Sequence, residues 1–440
     1  MLDRFLYPPC SGRVPLSSRS GRAGRAGRLS KRPGLTTARR GHSRSPWNSC
    51  ATDPEGIPWE RRKHVEPIGF DKKRADGIMA ARGVNVLVLT SPENVFYTSG
   101  LPVRHVEHNP ILFVLANQYP TMTVIPRGGE DSVITWVMFD SSLTWIKDFC
   151  GALTRDGAVE GVISRVGAGG NAKLKVGIES SAPFYLFEAL RSAFPNAELV
   201  VVDDIMLELR TIKSAEEVRR IREATRIAEK TISALIEHLE EGISDLDLLK
   251  LAKIATLNEG GSGTNHLTLS VGDSDPEAPG TGRRIKSGEL TRFDTGAMYA
   301  GYVSDVCRHA CLGEAPAEAV NIVARTVELQ RVCVDAIRPG VTAGEVEDVM
   351  NREMERIASG MPVFTMGHGV GLNTEESHFL PTGLWGSRDM VFQPGMVFDL
   401  EYWALYPPYV NRLIGMEDTY LVTETGCDRL SSLDQKIFSR

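Results

Sequence analysis

Gly288-Glu-Leu-Thr-Arg-Phe-Asp294 and Gly395-Met-Val-Phe-Asp-Leu-Glu401 are the two stretches that decide how this chain is read. Each sets a carboxylate six positions after a turn glycine, and each is followed by a second carboxylate, Asp305 and Glu417. Leu290–Asp294, Ala297–Gly301 and Tyr302–Arg308 read as a β-hairpin turning near Ala300-Gly301, which predicts Asp294 and Asp305 almost opposite each other. Like charges at that distance repel unless one is protonated or a cation bridges them; the plainer alternative is two exposed carboxylates on a solvated face. Glu401 ends the β-like run Met396–Leu400, where an acid is costly to bury unpaired. Between these stretches, Gly367-His368-Gly369-Val-Gly-Leu372 surrounds an imidazole with glycines that allow close backbone approach. A neutral imidazole is a common ligand of Zn, Mn, Co or Fe, although a loop histidine with a backbone partner gives the same pattern. Glu417 opens Glu-Asp-Thr-Tyr-Leu-Val, a strand start.

Around this core the chain alternates. Asp71–Arg82 has helical spacing ending at Gly83, Val84–Thr90 is β-rich, and Ser91-Pro92-Glu93-Asn94 reads as a turn leading to a Tyr97-Thr-Ser-Gly100 strand. Further β-like runs cover Ile111–Ala116, Thr121–Pro126, Val133–Phe139, Leu174–Glu179 and Leu199–Val202, with a helix over Phe184–Phe194. A junction falls near 203–213, followed by the capping box Ser214-Ala-Glu-Glu217 and a long amphipathic helix reaching Leu239. Helices are expected over Asp245–Asn258, Ala317–Ile337 and Ala343–Ala358. The first half thus reads as α/β, and the second as α+β with helices covering a curved antiparallel sheet.

Composition limits the function classes. The net charge of −6 divides into +10 over residues 1–50 and −16 over the rest. The acidic body argues against non-specific nucleic-acid binding, and no apolar run suits a membrane span. The Arg-, Ser- and Gly-rich head, 1–58, is expected to be disordered. It reads as an organelle leader, a basic tail, or upstream sequence before a start near Trp59. Seven cysteines lie singly with no CxxC, which suggests a reducing compartment, the cytoplasm by default, and no Cys-based zinc cluster.

Taken together, the order Asp294, Asp305, Gly-His368-Gly, Gly-Met-Val-Phe-x-x-Glu401 and Glu417-Asp-x-x-Leu-Val-Thr resembles the pita-bread metallopeptidase superfamily: methionine aminopeptidase, aminopeptidase P, prolidase and the metal-free creatinase. The resemblance covers about 206–430. Residues 64–202 resemble the creatinase-type N-terminal domain through Asn94-Val-Phe-Tyr-Thr-Ser-Gly100, and Arg210-Thr-Ile-Lys213-Ser-Ala-Glu-Glu-Val resembles the junction of aminopeptidase P and prolidase. It implies an α+β chain with an α/β creatinase-type domain over 59–205 and a pita-bread catalytic domain over 206–440. It also implies two divalent ions (Mn, Co, Fe or Zn) held by Asp294, Asp305, His368, Glu401 and Glu417, with Asp305 and Glu417 bridging and Glu401 as general base. A homodimer is implied as well, in which His105 and His108 could approach the partner's site.

Three departures qualify this. Aminopeptidase P and prolidase place a histidine after the Gly-rich stretch before the first Asp; Ser270–Gly280 has none, and the nearest earlier one is His266. Their second histidine in His-Gly-x-Gly-Leu-x-x-His-Glu is Glu375 here, followed by Glu376. Their usual arginine two residues before the last ligand is Gly415, with Arg412 close by as a substitute. His378 is the residue placed to replace the imidazole lost at 375. The leading expectation is therefore a metal-dependent hydrolase resembling an Xaa-Pro peptidase, acting on a small molecule or short peptide. The alternatives are a non-peptidase enzyme such as a dimethylsulfoniopropionate lyase, whose loop resembles this one, and an inactive scaffold.

Overall fold

The computed structural model describes residues 66–102, 115–167, 173–274, 280–384, 386–405 and 413–440. The head 1–58, most of the strand expected at Ile111–Ala116, and His105, His108 and Arg412 lie outside these residues.

The first part builds a six-stranded sheet. Its elements in order are α1 (Lys72–Ala81), β1 (Val86–Leu89), α2 (Pro92–Ser99), β2 (Met122–Pro126), β3 (Ser132–Trp136), β4 (Asp148–Ala152), α3 (Arg155–Gly167), β5 (Lys175–Ile178), α4 (Phe184–Ala193) and β6 (Glu198–Val201). The strand order is β4-β3-β2-β1-β5-β6, with β1 parallel to β5 and antiparallel to β2. Two sequence expectations change here. Ser91–Gly100 is a helix rather than a turn and strand: Ser91 caps it, Pro92 sits in its first turn and Gly100 closes it at φ 74°. The junction also carries a helix of its own, α5 (Asp203–Thr211).

The second part starts with the predicted capping box. Ser214 accepts from the Glu217 amide while the Glu217 carboxylate accepts from the Ser214 amide, opening α6 (Ala215–Glu237). Then come α7 (Asp245–Asn258), β7 (Gly263–Val271), β8 (Leu290–Tyr299), β9 (Tyr302–Val303), β10 (Val306–Cys311), α8 (Ala317–Ala336), α9 (Ala343–Ile357), β11 (Val363–Gly369), β12 (His378–Leu380), β13 (Val397–Leu405), β14 (Leu413–Val422), β15 (Cys427–Arg429) and β16 (Ile437–Ser439). The main path of the sheet runs β12-β11-β13-β14-β10-β8-β7.

Strand alternation divides this sheet into two faces. Phe293, Val306 and Ala310 pack under Ile227, Ile232 and Leu248 of α6 and α7. Phe398, Leu400, Tyr402 and Tyr420 pack under Leu329, Cys333, Val346 and Met350 of α8 and α9. Each such burial is worth roughly 1.5–3 kcal/mol. Two helix pairs therefore hold one face, and the intervening residues, among them Asp294, Asp399, Glu401 and Glu417, are turned to the other.

The two parts meet through a buried charge network. Glu376 accepts from both Arg210 and Lys213, the latter at 3.1 Å, and from the Leu372 amide at 2.8 Å. Arg210 also donates to Asn94 of α2 at 3.0 Å. Burial alone would raise the Glu376 carboxyl, but Arg210 and Lys213 hold it down at about 2. Glu376→Gln would leave two buried cations short of their partner, at an expected cost of about 3–5 kcal/mol in urea titrations. The folded-state value lies below the unfolded one of about 4.3, so this contribution is complete above that pH and is lost as pH falls toward 2. Wild type and E376Q should converge in stability over that acid range.

Candidate metal centre

The hairpin turns where expected, at Ala300 (φ 48°) and Gly301 (φ 88°), a pair of left-handed residues suited to a two-residue connection. Its register differs from the expectation. Asp294 faces Cys307 rather than Asp305, and Val306 faces Thr295. The two aspartates therefore lie diagonally on one face, two residues out of step, because the tight turn fixes the pairing. On the neighbouring pair of strands Glu401 and Glu417 are directly opposite, and Glu417 faces Cys307 of β10. The internal echo in sequence thus becomes two adjacent antiparallel pairs, β8/β10 and β13/β14, offering their carboxylates to one place.

His368 completes the group from β11. Its Nδ1 lies 3.0 Å from the Thr374 carbonyl, which can only accept, so Nδ1 carries the proton and Nε2 faces the carboxylates. Nε2 is 3.6 Å from Glu401 Oε1 and 3.8 Å from Glu417 Oε1. Glu401 Oε2 accepts from the Trp403 indole. Potential ligand atoms of Asp305, His368, Asp399 and Glu417 lie within 4.8 Å of one another, and a second set of His266, Asp294 and Asp305 meets the same limit. Asp305 belongs to both sets. All five expected ligand residues are buried and converge on this region.

Electrostatics favour a cation here. Burial, then the charges of Asp294 and Asp399, push the Asp305 carboxyl well above the usual range. Burial, then Asp305 and Glu401, do the same to Glu417. Burial raises Asp399 to about 7. Asp294 is held low instead: burial opposes its charge, but Arg292 and His266 outweigh it. Burial works against a charged His368, yet Glu401 and Glu417 raise it well above an ordinary histidine. Asp305 Oδ1 and both Asp399 oxygens are buried without a hydrogen-bond partner among the described residues. Orphaned carboxylate oxygens beside an oriented imidazole are a donor set that fits divalent Mn, Fe, Co or Zn.

The remaining candidates separate. His378 sits in β12 opposite His368, their ring centroids 5.8 Å apart, and its Nε2 is 3.0 Å from Glu375 Oε2. Glu375 is half exposed, at the rim. A Cβ at Gly415 would run into the Tyr402 carbonyl oxygen, so no arginine fits there without moving β13. Sequence reasoning missed Arg292, Asp399 and Trp403, and named His266 only for its position. Arg292 donates to Asp294 and lies 4.4 Å over the Trp403 ring; His266 is 3.0 Å from Asp294. The available signal was the two-residue period: 292, 399 and 403 each stand two positions from an expected ligand.

Residues 219–424 match the model of metallopeptidase family M24, and residues 72–212 match that of the creatinase/prolidase N-terminal domain. The chain belongs to the pita-bread metallopeptidase superfamily. It is 29% identical over 266 residues to the Xaa-Pro dipeptidase of Pyrococcus horikoshii, covering 60% of this chain and 74% of that one. It has the same identity over 266 residues to the Xaa-Pro dipeptidase of Pyrococcus furiosus, covering 75% of that protein. The fold is shared with the P. horikoshii prolidase structure (TM-score 0.67, 24% identity, 82% of this chain and 98% of that one). It is shared equally with an X-Pro aminopeptidase structure from Thermotoga maritima (TM-score 0.67, 18% identity, 84% and 99%). The match to metallopeptidase family M24 implies divalent metal ions, which the donor set above suits.

Mn2+ added to metal-free protein should raise its thermal midpoint, by about 2.7 kcal/mol of stabilisation at 100-fold excess over the Kd. Scanning calorimetry of Glu417→Gln should show most of that increment gone.

Proposed function

We propose that this chain is a two-metal peptidase that hydrolyses short peptides of the Xaa-Pro type, with Asp294, Asp305, His368, Glu401 and Glu417 as the ligands. The observation that carries the reading is the convergence of four adjacent strands' carboxylates and His368 Nε2 on one buried spot. It is supported by relatives named Xaa-Pro dipeptidases. The comparisons do not favour the lyase or scaffold alternatives. Division into domains at 59–205 and 206–440, a homodimer, and Mn, Co, Fe or Zn as the metal belong to the same proposal. So does a cytoplasmic site of action: none of the five described cysteines forms a disulfide, which fits a reducing compartment. No described helix is long and apolar enough to cross a membrane.

When bound, the ions lower the pKa of a shared water and polarise the scissile carbonyl. The protein's own groups supply the rest. Glu401, with Oε2 fixed by Trp403, keeps Oε1 available to take the proton of the attacking water. His368 is fixed in one tautomer by Thr374. Beside it, the Glu375–His378 pair restores an imidazole near the position where peptidase relatives carry their second histidine, and Glu375 keeps that ring oriented. His378 would then hold the proton destined for the leaving amine.

Full-length enzyme stripped with chelator and reloaded with Mn2+ should cleave Xaa-Pro dipeptides to two amino acids, and Asp305→Ala should not. Glu401→Gln should lower kcat by about 10²–10⁴. His378→Ala should lower kcat more than it raises KM, with the loss read by steady-state kinetics. Full metal loading without cleavage of any short peptide would defeat the reading.

A further inference from the structure

Asp399 stands on β13 directly across from His368 on β11 and Thr419 on β14, two residues before Glu401 and on the same face of the sheet. It is 0% exposed, and neither carboxylate oxygen has a hydrogen-bond partner among the described residues. Its ligand atoms lie within 4.8 Å of those of Asp305, His368 and Glu417.

The rest of this chain shows how it treats a buried carboxylate whose task is structural. Asp418, on the opposite face of the neighbouring strand, takes Arg308 at 2.6 Å, Gln435 at 2.8 Å and the Ser431 hydroxyl. Glu229 takes the amides of Ser432 and Leu433 and, at 2.8 Å, the Ser432 hydroxyl. Glu347 takes the Thr382 amide at 2.9 Å and Arg388 at 2.9 Å. Each is satisfied by several donors, as burial demands. Asp399 has no such set of donors: the Thr419 hydroxyl lies near enough to favour its charge but is spent on the Asp305 carbonyl at 3.0 Å. Apolar packing does not explain it either, because Phe398 and Leu400 on either side serve the helix-covered face. A carboxylate that is buried, unsatisfied and within 4.8 Å of the ligand atoms of Asp305, His368 and Glu417 has the position of a ligand, not of a support.

We propose that Asp399 is an additional metal ligand, a fifth carboxylate that joins Asp305, His368 and Glu417 around one of the two ions. The inference rests on the metallopeptidase reading. It makes the two positions unequal. The ion beside His368 gains an oxygen donor, while the ion beside Asp294 shares that carboxylate with Arg292 and His266. More carboxylate oxygen favours a harder, higher-coordinate ion, so Asp399 should shift the selectivity of the His368 position toward Mn2+ relative to Zn2+.

The test uses the full chain with Asp399→Asn and Asp399→Ser, and Glu417→Gln as a control, measured by Mn2+ calorimetry, by metal content after dialysis, and by the thermal midpoint without metal. The expected result is a two-way split. Both Asp399 variants melt higher than wild type when metal-free, because one of several crowded acids is gone. They also bind one of two Mn2+ ions at least about tenfold more weakly. Unchanged Mn2+ affinity and stoichiometry in both variants would overturn the assignment, as would variants that fold only poorly without metal, the mark of a supporting residue. If wild type and E417Q alike retain no Mn2+, the metallopeptidase reading itself fails. If E417Q loses metal while both Asp399 variants keep it, that reading stands and only Asp399 is wrong.

Discussion

Like-charge crowding is the constraint around which this molecule is built. Asp294, Asp305, Asp399, Glu401 and Glu417 are all buried on one face of four neighbouring strands, where neighbouring acids add to the cost of ionising Asp305 and Glu417. Such an arrangement is expensive without compensating cations, and it persists only if the backbone cannot spread. The opposite face provides that resistance. Two helix pairs seal it with Phe293, Leu400, Tyr402 and their neighbours, so the strands cannot separate without exposing a continuous apolar layer. Arg308 adds a fixed pin. All five of its donors are used, on Asp418, Glu417 O, Cys307 O, Leu433 O and Asp434 O, which ties β10 to β14 behind Glu417.

The loop that follows His368 is held from further away. Glu376 anchors it to Arg210 and Lys213 of the junction, and Arg210 reaches Asn94 in the first sheet's territory. Val303, just past the hairpin turn, donates to Gly371 O at 2.9 Å, which joins the same loop to the strand leading to Asp305. The tautomer of His368 depends on Thr374 O in that loop. A disturbance at the junction therefore reaches the carboxylate cluster through three contacts, of which only the last, Thr374 O to His368 Nδ1, touches a proposed ligand. This gives the Arg210–Lys213 pair a physical role in positioning the imidazole, beyond joining two domains.

Much of this was legible in the sequence, for local reasons. The capping box at Ser214 and the periodicity of Asp245–Asn258 fixed two helices closely, because capping and a 3.6-residue apolar period are written within one segment. The five proposed ligand residues were nominated by type, order and the glycines beside them, and the structure buries them close together. Ser91–Gly100 was misread because Ser-Pro-Glu-Asn suits both a turn and a helix start, and its β-branched and aromatic residues favoured a strand until tertiary burial settled it. The diagonal offset of Asp294 and Asp305 follows from the turn that was read correctly: with Ala300-Gly301 as the two turn residues, Tyr299 pairs with Tyr302 and Asp294 with Cys307, so Asp305 falls two residues short of facing Asp294. Cross-strand neighbours such as His266 of Asp294 are set by pairing between strands distant in the chain, on which local sequence is silent.

The departures from the family pattern share one geometric logic. In a strand, the residue two before a ligand points to the same face as the ligand, so these positions line the centre without binding in the expected set. In relatives an arginine usually stands two before the last ligand. Here that place is Gly415, pressed against the Tyr402 carbonyl, with its amide donating to His309 Nε2 at 3.2 Å. The guanidinium appears instead two before the first ligand, as Arg292, stacked on Trp403, which itself stands two after Glu401. Asp399 stands two before Glu401. Arg292 thus places positive charge beside Asp294 on one strand pair, while Asp399 places a further carboxylate across from His368 on the other, so the two ends of the cluster differ in charge.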